Sequence, residues 1–151
     1  MVDGNPVAAK AEIADLVHAY ALNVRSRNAS GSGGFFTEDA VFETWRIPPG
    51  QTAPALANRL EGRDAILAYI TKASQGAVTV CPMIHNLLIE VNGREATSNC
   101  LMAAVTIPGG AEIIGEYQDT FAFDGRWRFS SRRYVILLER PAPSSGGEGA
   151  R

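Results

Sequence analysis

From residue 79 to residue 138 the sequence reads as four runs of about thirteen residues, roughly 79–91, 94–107, 111–123 and 126–138, separated by the turn signals "NG", "PGG" and "DG". Apolar and β-branched residues fill each run, and connections this short between strands are hairpins. Consecutive hairpins make an antiparallel meander. Strands this long are about twice the usual ~5–6 residues, so a sheet built from them twists and bends rather than lying flat. A bent sheet has a hollow side that another element must cover.

The covering element is supplied near the N-terminus. In "AAKAEIADLVHAYALNVRSRN", residues 8–28, Ile13, Leu16, Val17, Tyr20 and Val24 recur at the spacing of one helix face. The helix stops at "ASGSGG", a helical turn in "FFTEDA" leads into a strand "VFETW", and "GRDAILAYITKA" forms a second helix with Ile66, Leu67 and Ile70 inward. Between them, "RIPPGQTAPALANRLEG" carries three prolines and little periodicity, which suits a surface loop, with residues 47–60 as a candidate lid. The expectation is one α+β domain over residues 1–140: a cone-shaped, curved antiparallel or mixed sheet wrapped around a long N-terminal helix, with two shorter helices. The tail, residues 141–151, is too poor in apolar residues to fold and reads as flexible.

Composition narrows the partners. A net charge of −2 with only 20% charged residues gives no basic cluster for nucleic acid. No run approaches the roughly 18 apolar residues of a membrane span, and the first residues lack a signal peptide's pattern, so a cytoplasmic location is expected. If Asn92 and Gly93 are the central residues of a hairpin turn, Cys100 falls opposite His85 and Cys81 near Ala104. The two sulfurs are then on the order of 13 Å apart, too far for a disulfide. No Cys/His spacing suggests a metal site, and no motif implies a cofactor.

The same counting assigns side chains to the hollow. On the first hairpin, Met83, His85, Leu87 and Ile89 share a face with Ser98, Cys100 and Met102. On the last, a two-residue Asp124-Gly125 turn pairs Ala122 with Trp127, Thr120 with Phe129, Gln118 with Ser131 and Glu116 with Arg133. A three-residue "PGG" loop keeps Glu116 and Gln118 on the hollow face, whereas a two-residue "GG" loop brings Tyr117 and Asp119 there instead. Apolar walls with a few convergent polar groups are the make-up of a small-molecule pocket. The candidate lining is Arg25, Asn23, Cys100, Met102, Glu116, Trp127 and Phe129, around the candidate catalytic residues His85, Tyr20 and Arg133. A lone histidine on an apolar strand is more often a hydrogen-bonded core residue, and Glu116 with Arg133 could be a cross-strand ion pair.

The order of helix, "FFTEDAVFE", "GRDAI" helix, histidine-bearing strand and closing "GEYQDTFAFDGRWRFSSRRYVI" resembles the SnoaL-like branch of the nuclear-transport-factor-2-like superfamily over roughly residues 8–138. The resemblance implies an α+β cone around a deep pocket, in dimers or trimers, with relatives that include dehydratases, isomerases and polyketide cyclases. In several of those lyases a histidine on the strand after the second helix removes a proton, and an aspartate near the end of the first helix supports it. His85 matches the histidine, Tyr20 matches a tyrosine of the family, and Arg133 corresponds approximately to an arginine used near a leaving group or oxyanion. Arg25 stands at the acidic position, where its charge opposes an imidazolium.

Two functions follow from these readings. The first is a cofactor-free lyase, isomerase or cyclase acting on a hydrophobic oxygenated molecule, with His85 as general base, Tyr20 donating to a carbonyl or hydroxyl, and Arg133, with Arg25, stabilising negative charge. The second is a ligand-binding or accessory subunit that keeps the cone without chemistry, which the arginine at position 25 favours.

Overall fold

The computed structural model describes residues 5–144. Helix α1, Pro6–Arg25, starts where the Asn5 side chain accepts a hydrogen bond from the Val7 amide at 3.0 Å and Pro6 occupies the first turn. It buries Ala9, Ile13, Val17, Tyr20 and Ala21 along one stripe. A 3₁₀ turn, Ser30–Phe35, leads into β1, Phe36–Arg46. The expected helical turn in "FFTEDA" therefore falls earlier, in the glycine-rich segment. Phe36 already belongs to the strand, where it is buried with Ala40 and Phe42.

The segment expected as a loop or lid contains a strand. β2, Ala55–Glu61, pairs antiparallel with β1. Pro48, Pro49 and Pro54 all precede it, so the paired residues are proline-free. Its alternation is silent because β2 is an edge strand with nearly every side chain exposed. α2, Arg63–Ala73, buries Ile66 and Ile70 and leaves Leu67 half-buried.

The four long strands are β3, Thr79–Asn92; β4, Glu95–Ile107; β5, Glu112–Phe123; and β6, Trp127–Arg140. The six-stranded sheet runs β2-β1-β6-β5-β4-β3, with every pair antiparallel except β1 and β6. Helix α1 and the inner face of this curved sheet enclose the core. There Phe129 stacks on Phe36 at 5.2 Å and meets Phe121 at 5.0 Å, with the Tyr20 ring edge-on to Phe36 and Phe129. Residues 141–144 have no regular structure, and the rest of the expected tail lies outside the described residues.

Register decides what faces inward, because a slip of one residue moves a strand's side chains to the opposite face. The first hairpin turns at Gly93 and Arg94, one residue later than expected, with Asn92 opposite Glu95. That shifts the pairing by two and leaves the faces unchanged: Ile89 and Leu87 pack inward with Ser98, Cys100 and Met102. A bulge then inserts Asn86 and Leu87 opposite Cys100, with His85 pairing to Leu101 and Leu88 to Asn99. N-terminal to it the faces exchange. Ile84 packs against the core, while Met83 and His85 are exposed. Cys81 pairs with Val105, five residues beyond Cys100, and both thiols are free.

Asn86 makes the bulge with a left-handed backbone, φ 53°. Asparagine tolerates this conformation, glycine adopts it freely, and β-branched residues resist it. Asn86→Gly is expected to shift stability by no more than a few tenths of a kcal/mol, and Asn86→Val to cost about 1–3 kcal/mol. Urea unfolding midpoints of the two variants check this.

Candidate functional site

A cavity of about 210 Å³ lies between α1, α2 and the inner faces of β4, β5 and β6. Tyr20 from α1, Tyr69 from α2, Tyr117 from β5 and Tyr134 from β6 line it with Phe42 and Met102. Burial raises the phenol pKa of all three inner tyrosines; at Tyr20 the nearby Arg132 guanidinium opposes it. The Tyr117 and Tyr134 side chains both reach the cavity wall, and neither hydroxyl is among the fully buried polar atoms left without a partner.

At the mouth, Arg27 closes the gap between the end of α1 and the α2–β3 connection. Its guanidinium donates to Thr79 Oγ1 and the Gly76 carbonyl, both at 2.9 Å, and to the Ser74 carbonyl at 3.4 Å. Arg27 holds a left-handed backbone, φ 56°, which these bonds help to secure.

Behind the phenols sits a buried ion pair. Arg132 on β6 donates to both carboxylate oxygens of Asp119 on β5, at 2.8 and 2.9 Å, and both side chains are 0% exposed. The guanidinium carbon lies 3.7 Å from the Tyr117 ring centroid, 4.5 Å from Tyr20 and 4.6 Å from Phe129. Its Nη1 has no hydrogen-bond partner. Burial works against the Arg132 charge, but the Asp119 carboxylate outweighs it and holds the guanidinium firmly cationic.

Of the ten residues expected at the site, the cavity wall contains Tyr20, Asn23 and Met102. The Asn23 amide donates to Ser32 Oγ at 3.1 Å. The β3 bulge turns His85 to the exposed outer face, away from the cavity. Arg133 is also outside, donating to Glu43 at 3.3 Å and lying over Trp45. The last hairpin pairs Phe123 with Trp127 rather than Ala122 with Trp127, and a bulge at Ser130 follows, so Arg132 rather than Arg133 faces in. Glu116 lies on the outer face, where it accepts from Asn99 and Gln118. Residues 108–111 connect β4 to β5 with the parity of the shorter loop considered above, which turns Tyr117 and Asp119 inward. Arg25 is exposed beside a shallow groove with Leu22 and Met83. Cys100 and Phe129 are fully buried and Trp127 packs on Phe123; these three belong to the core and not to the cavity wall.

A second depression, about 790 Å³, lies on the outer sheet face among Glu43, Arg59, Asn99, Gln118, Thr120 and Arg133. Arg59 and Arg133 there both pair with Glu43, Arg59 at 2.6 Å and Arg133 at 3.3 Å. The inner cavity is mostly apolar with phenol side chains on its wall, which is the pattern of a small-molecule site. Among the described residues, no group of three His, Cys, Asp or Glu is placed to hold a metal ion, and no helix is long and apolar enough to cross a membrane.

A curved, mixed six-stranded sheet closed by a long N-terminal helix over an apolar cavity defines an α+β cone of the nuclear-transport-factor-2-like class. The SnoaL-like domain model matches residues 5–133, and the chain belongs to that family. Solved structures agree on the fold. LinA is 19% identical, with a TM-score of 0.74 over 95% of this chain and 96% of that one. A protein provisionally assigned as a scytalone dehydratase from Novosphingobium aromaticivorans is 21% identical, with a TM-score of 0.71 over 97% of this chain and 98% of that one. The β subunit of a provisionally assigned aromatic-ring-hydroxylating dioxygenase from the same organism is 18% identical, with a TM-score of 0.71 over 87% and 90% of the two chains. No curated protein sequence matches the chain.

Removing one member of a buried pair strands the other charge. Asp119→Ala is expected to cost about 3–5 kcal/mol, and Asp119→Ala with Arg132→Met to recover much of that loss, as urea unfolding will show. Burial, opposed by Arg132, pushes the Cys100 thiol from its ordinary 9.0 up to about 11. The unfolded chain therefore sheds that proton first, and the thiol's contribution to stability declines as pH rises from 9.0 towards about 11. In the folded protein at pH 8, a thiol-disulfide reagent should titrate the partly exposed Cys81 and reach Cys100 only after unfolding.

Proposed function

We propose that the chain is a small-molecule pocket protein that holds a compact, apolar, oxygen-bearing ligand in the tyrosine-lined cavity. The observation that carries this reading is a mostly apolar, partly open cavity whose wall is built by Tyr20, Tyr117 and Tyr134. A phenol hydroxyl on the wall can donate to a ligand carbonyl or accept from a ligand hydroxyl, which fits an oxygen-bearing ligand. The cavity wall among the described residues holds neither carboxylate nor imidazole, which favours binding over acid/base chemistry of the histidine type.

A second reading rests on the guanidinium 4.5 Å from the Tyr20 ring. Burial raises the Tyr20 phenol pKa and the Arg132 cation only moderates that rise, so a protonated phenol stands ready to hydrogen-bond a carbonyl or hydroxyl, as a cofactor-free lyase, isomerase or cyclase would require. In that case Tyr20, rather than His85, acts on the substrate. Association into dimers or trimers is proposed from the family resemblance, and a location in the cytoplasm from the sequence pattern of the first residues and the unpaired cysteines.

Calorimetric titration with a panel of hydroxylated aromatic compounds tests the binding reading. Tyr20→Phe and Tyr117→Phe should each weaken binding roughly 2- to 10-fold, the worth of one hydrogen bond, while His85→Ala leaves affinity unchanged. Loss of binding in His85→Ala, with Tyr20→Phe unaffected, would place the ligand elsewhere. Turnover of a bound compound that disappears in Tyr20→Phe would select the enzyme.

A further inference from the structure

Gly115 on β5 has no positive φ to explain a glycine there. Its missing side chain is explained instead by Tyr134. A methyl group at position 115 would stand 2.4 Å from Tyr134 Cε2 and 3.3 Å from Cδ2, with the Val135 carbonyl oxygen at 3.0 Å. The Tyr134 ring thus leans along the sheet over the bare backbone of Gly115, tilted against Tyr117 at a centroid distance of 5.1 Å. In that position it forms part of the cavity wall. Only glycine lets the ring lie so close to the sheet. With any side chain at position 115, the ring must swing off the sheet and displace its neighbours in the wall.

The size of the space left is informative. An apolar cavity of about 150 Å³ takes benzene. At the same filling, 210 Å³ takes one ring with a few further heavy atoms, and a second fused ring would have to extend out through the open mouth. We infer that Tyr134, seated over Gly115, is the specificity-determining residue that restricts the cavity to single-ring oxygenated compounds. This rests on the proposed role of the cavity and adds the ligand class and the residue that sets it. Overfilling a packed cavity is disfavoured by the same sterics that make small-to-large core substitutions costly.

The test compares p-cresol with 2-naphthol, followed by amide chemical shifts of Met102 and Tyr117 and by titrated affinities. The parent protein should bind p-cresol roughly tenfold or more tightly than 2-naphthol. Tyr134→Ala should remove that preference by admitting 2-naphthol, whereas Tyr134→Phe should keep it. Gly115→Ala should lose p-cresol binding, and Gly115→Ala combined with Tyr134→Ala should regain most of it, because the ring contact at 2.4 Å is gone and only the Val135 carbonyl oxygen at 3.0 Å has still to give by a few tenths of an ångström. If Gly115→Ala does not fold, recovery of folded protein in the double variant reports the same contact. Equal affinity for the two phenols in the parent, or an unchanged preference in Tyr134→Ala, overturns the size selection while leaving the pocket in place. Absence of cavity shifts with either phenol overturns the pocket reading and the selection with it.

Discussion

The contact between Asp119 and Arg132 organises the molecule around it. Two opposite charges are taken fully out of water, a cost of several kcal/mol per ion that only close pairing can offset, and here the pairing is bidentate. The two residues are direct partners across β5 and β6. Slipping either strand by one position would leave one charge in the core and send the other to solvent, so the pair selects this register against its neighbours. The guanidinium also fills the space between Tyr20, Tyr117 and Phe129, which fixes the rings that form or back the cavity wall. One electrostatic contact thereby joins α1, β5 and β6.

Much of the architecture was legible because long-range order was written in local pattern. The stripe of Ile13, Val17 and Tyr20 marks α1, and the runs punctuated by "NG", "PGG" and "DG" lie within two residues of the observed long strands. β2 was not legible, since an edge strand exposed on both faces has no buried alternation to display. The site was read less well for a sharper reason. Three interruptions of the ladders, at Asn86 and Leu87, at Ser130 and near Leu137, each change which alternate residues point inward. Only the one near Leu137 falls opposite a glycine, Gly115 on β5, and Asn86 is the only one of the inserted residues with a left-handed backbone. His85 against Ile84, and Arg133 against Arg132, were therefore decided by single-residue insertions that periodicity alone does not resolve.

The chemistry of the cavity changes accordingly. A pocket of imidazole, carboxylate and arginine becomes one of phenols backed by a neutralised ion pair, with hydroxyl groups as its polar contribution. Phenols serve equally as hydrogen-bond donors to a carbonyl and as acceptors from a ligand hydroxyl. Within a fold that hosts both enzymes and accessory subunits, function is set by such local exchanges rather than by the scaffold.

The parallel pairing of β1 with β6 joins residues about ninety positions apart in the chain, as in Val41 with Ser131. During synthesis β1 and β2 leave the ribosome long before the strand that ties them to the meander exists. The N-terminal half must wait as an open, partly apolar fragment with Phe36 and Phe42 uncovered. Closure comes with the last strand, so chaperone demand and susceptibility to truncation should both concentrate at the end of translation.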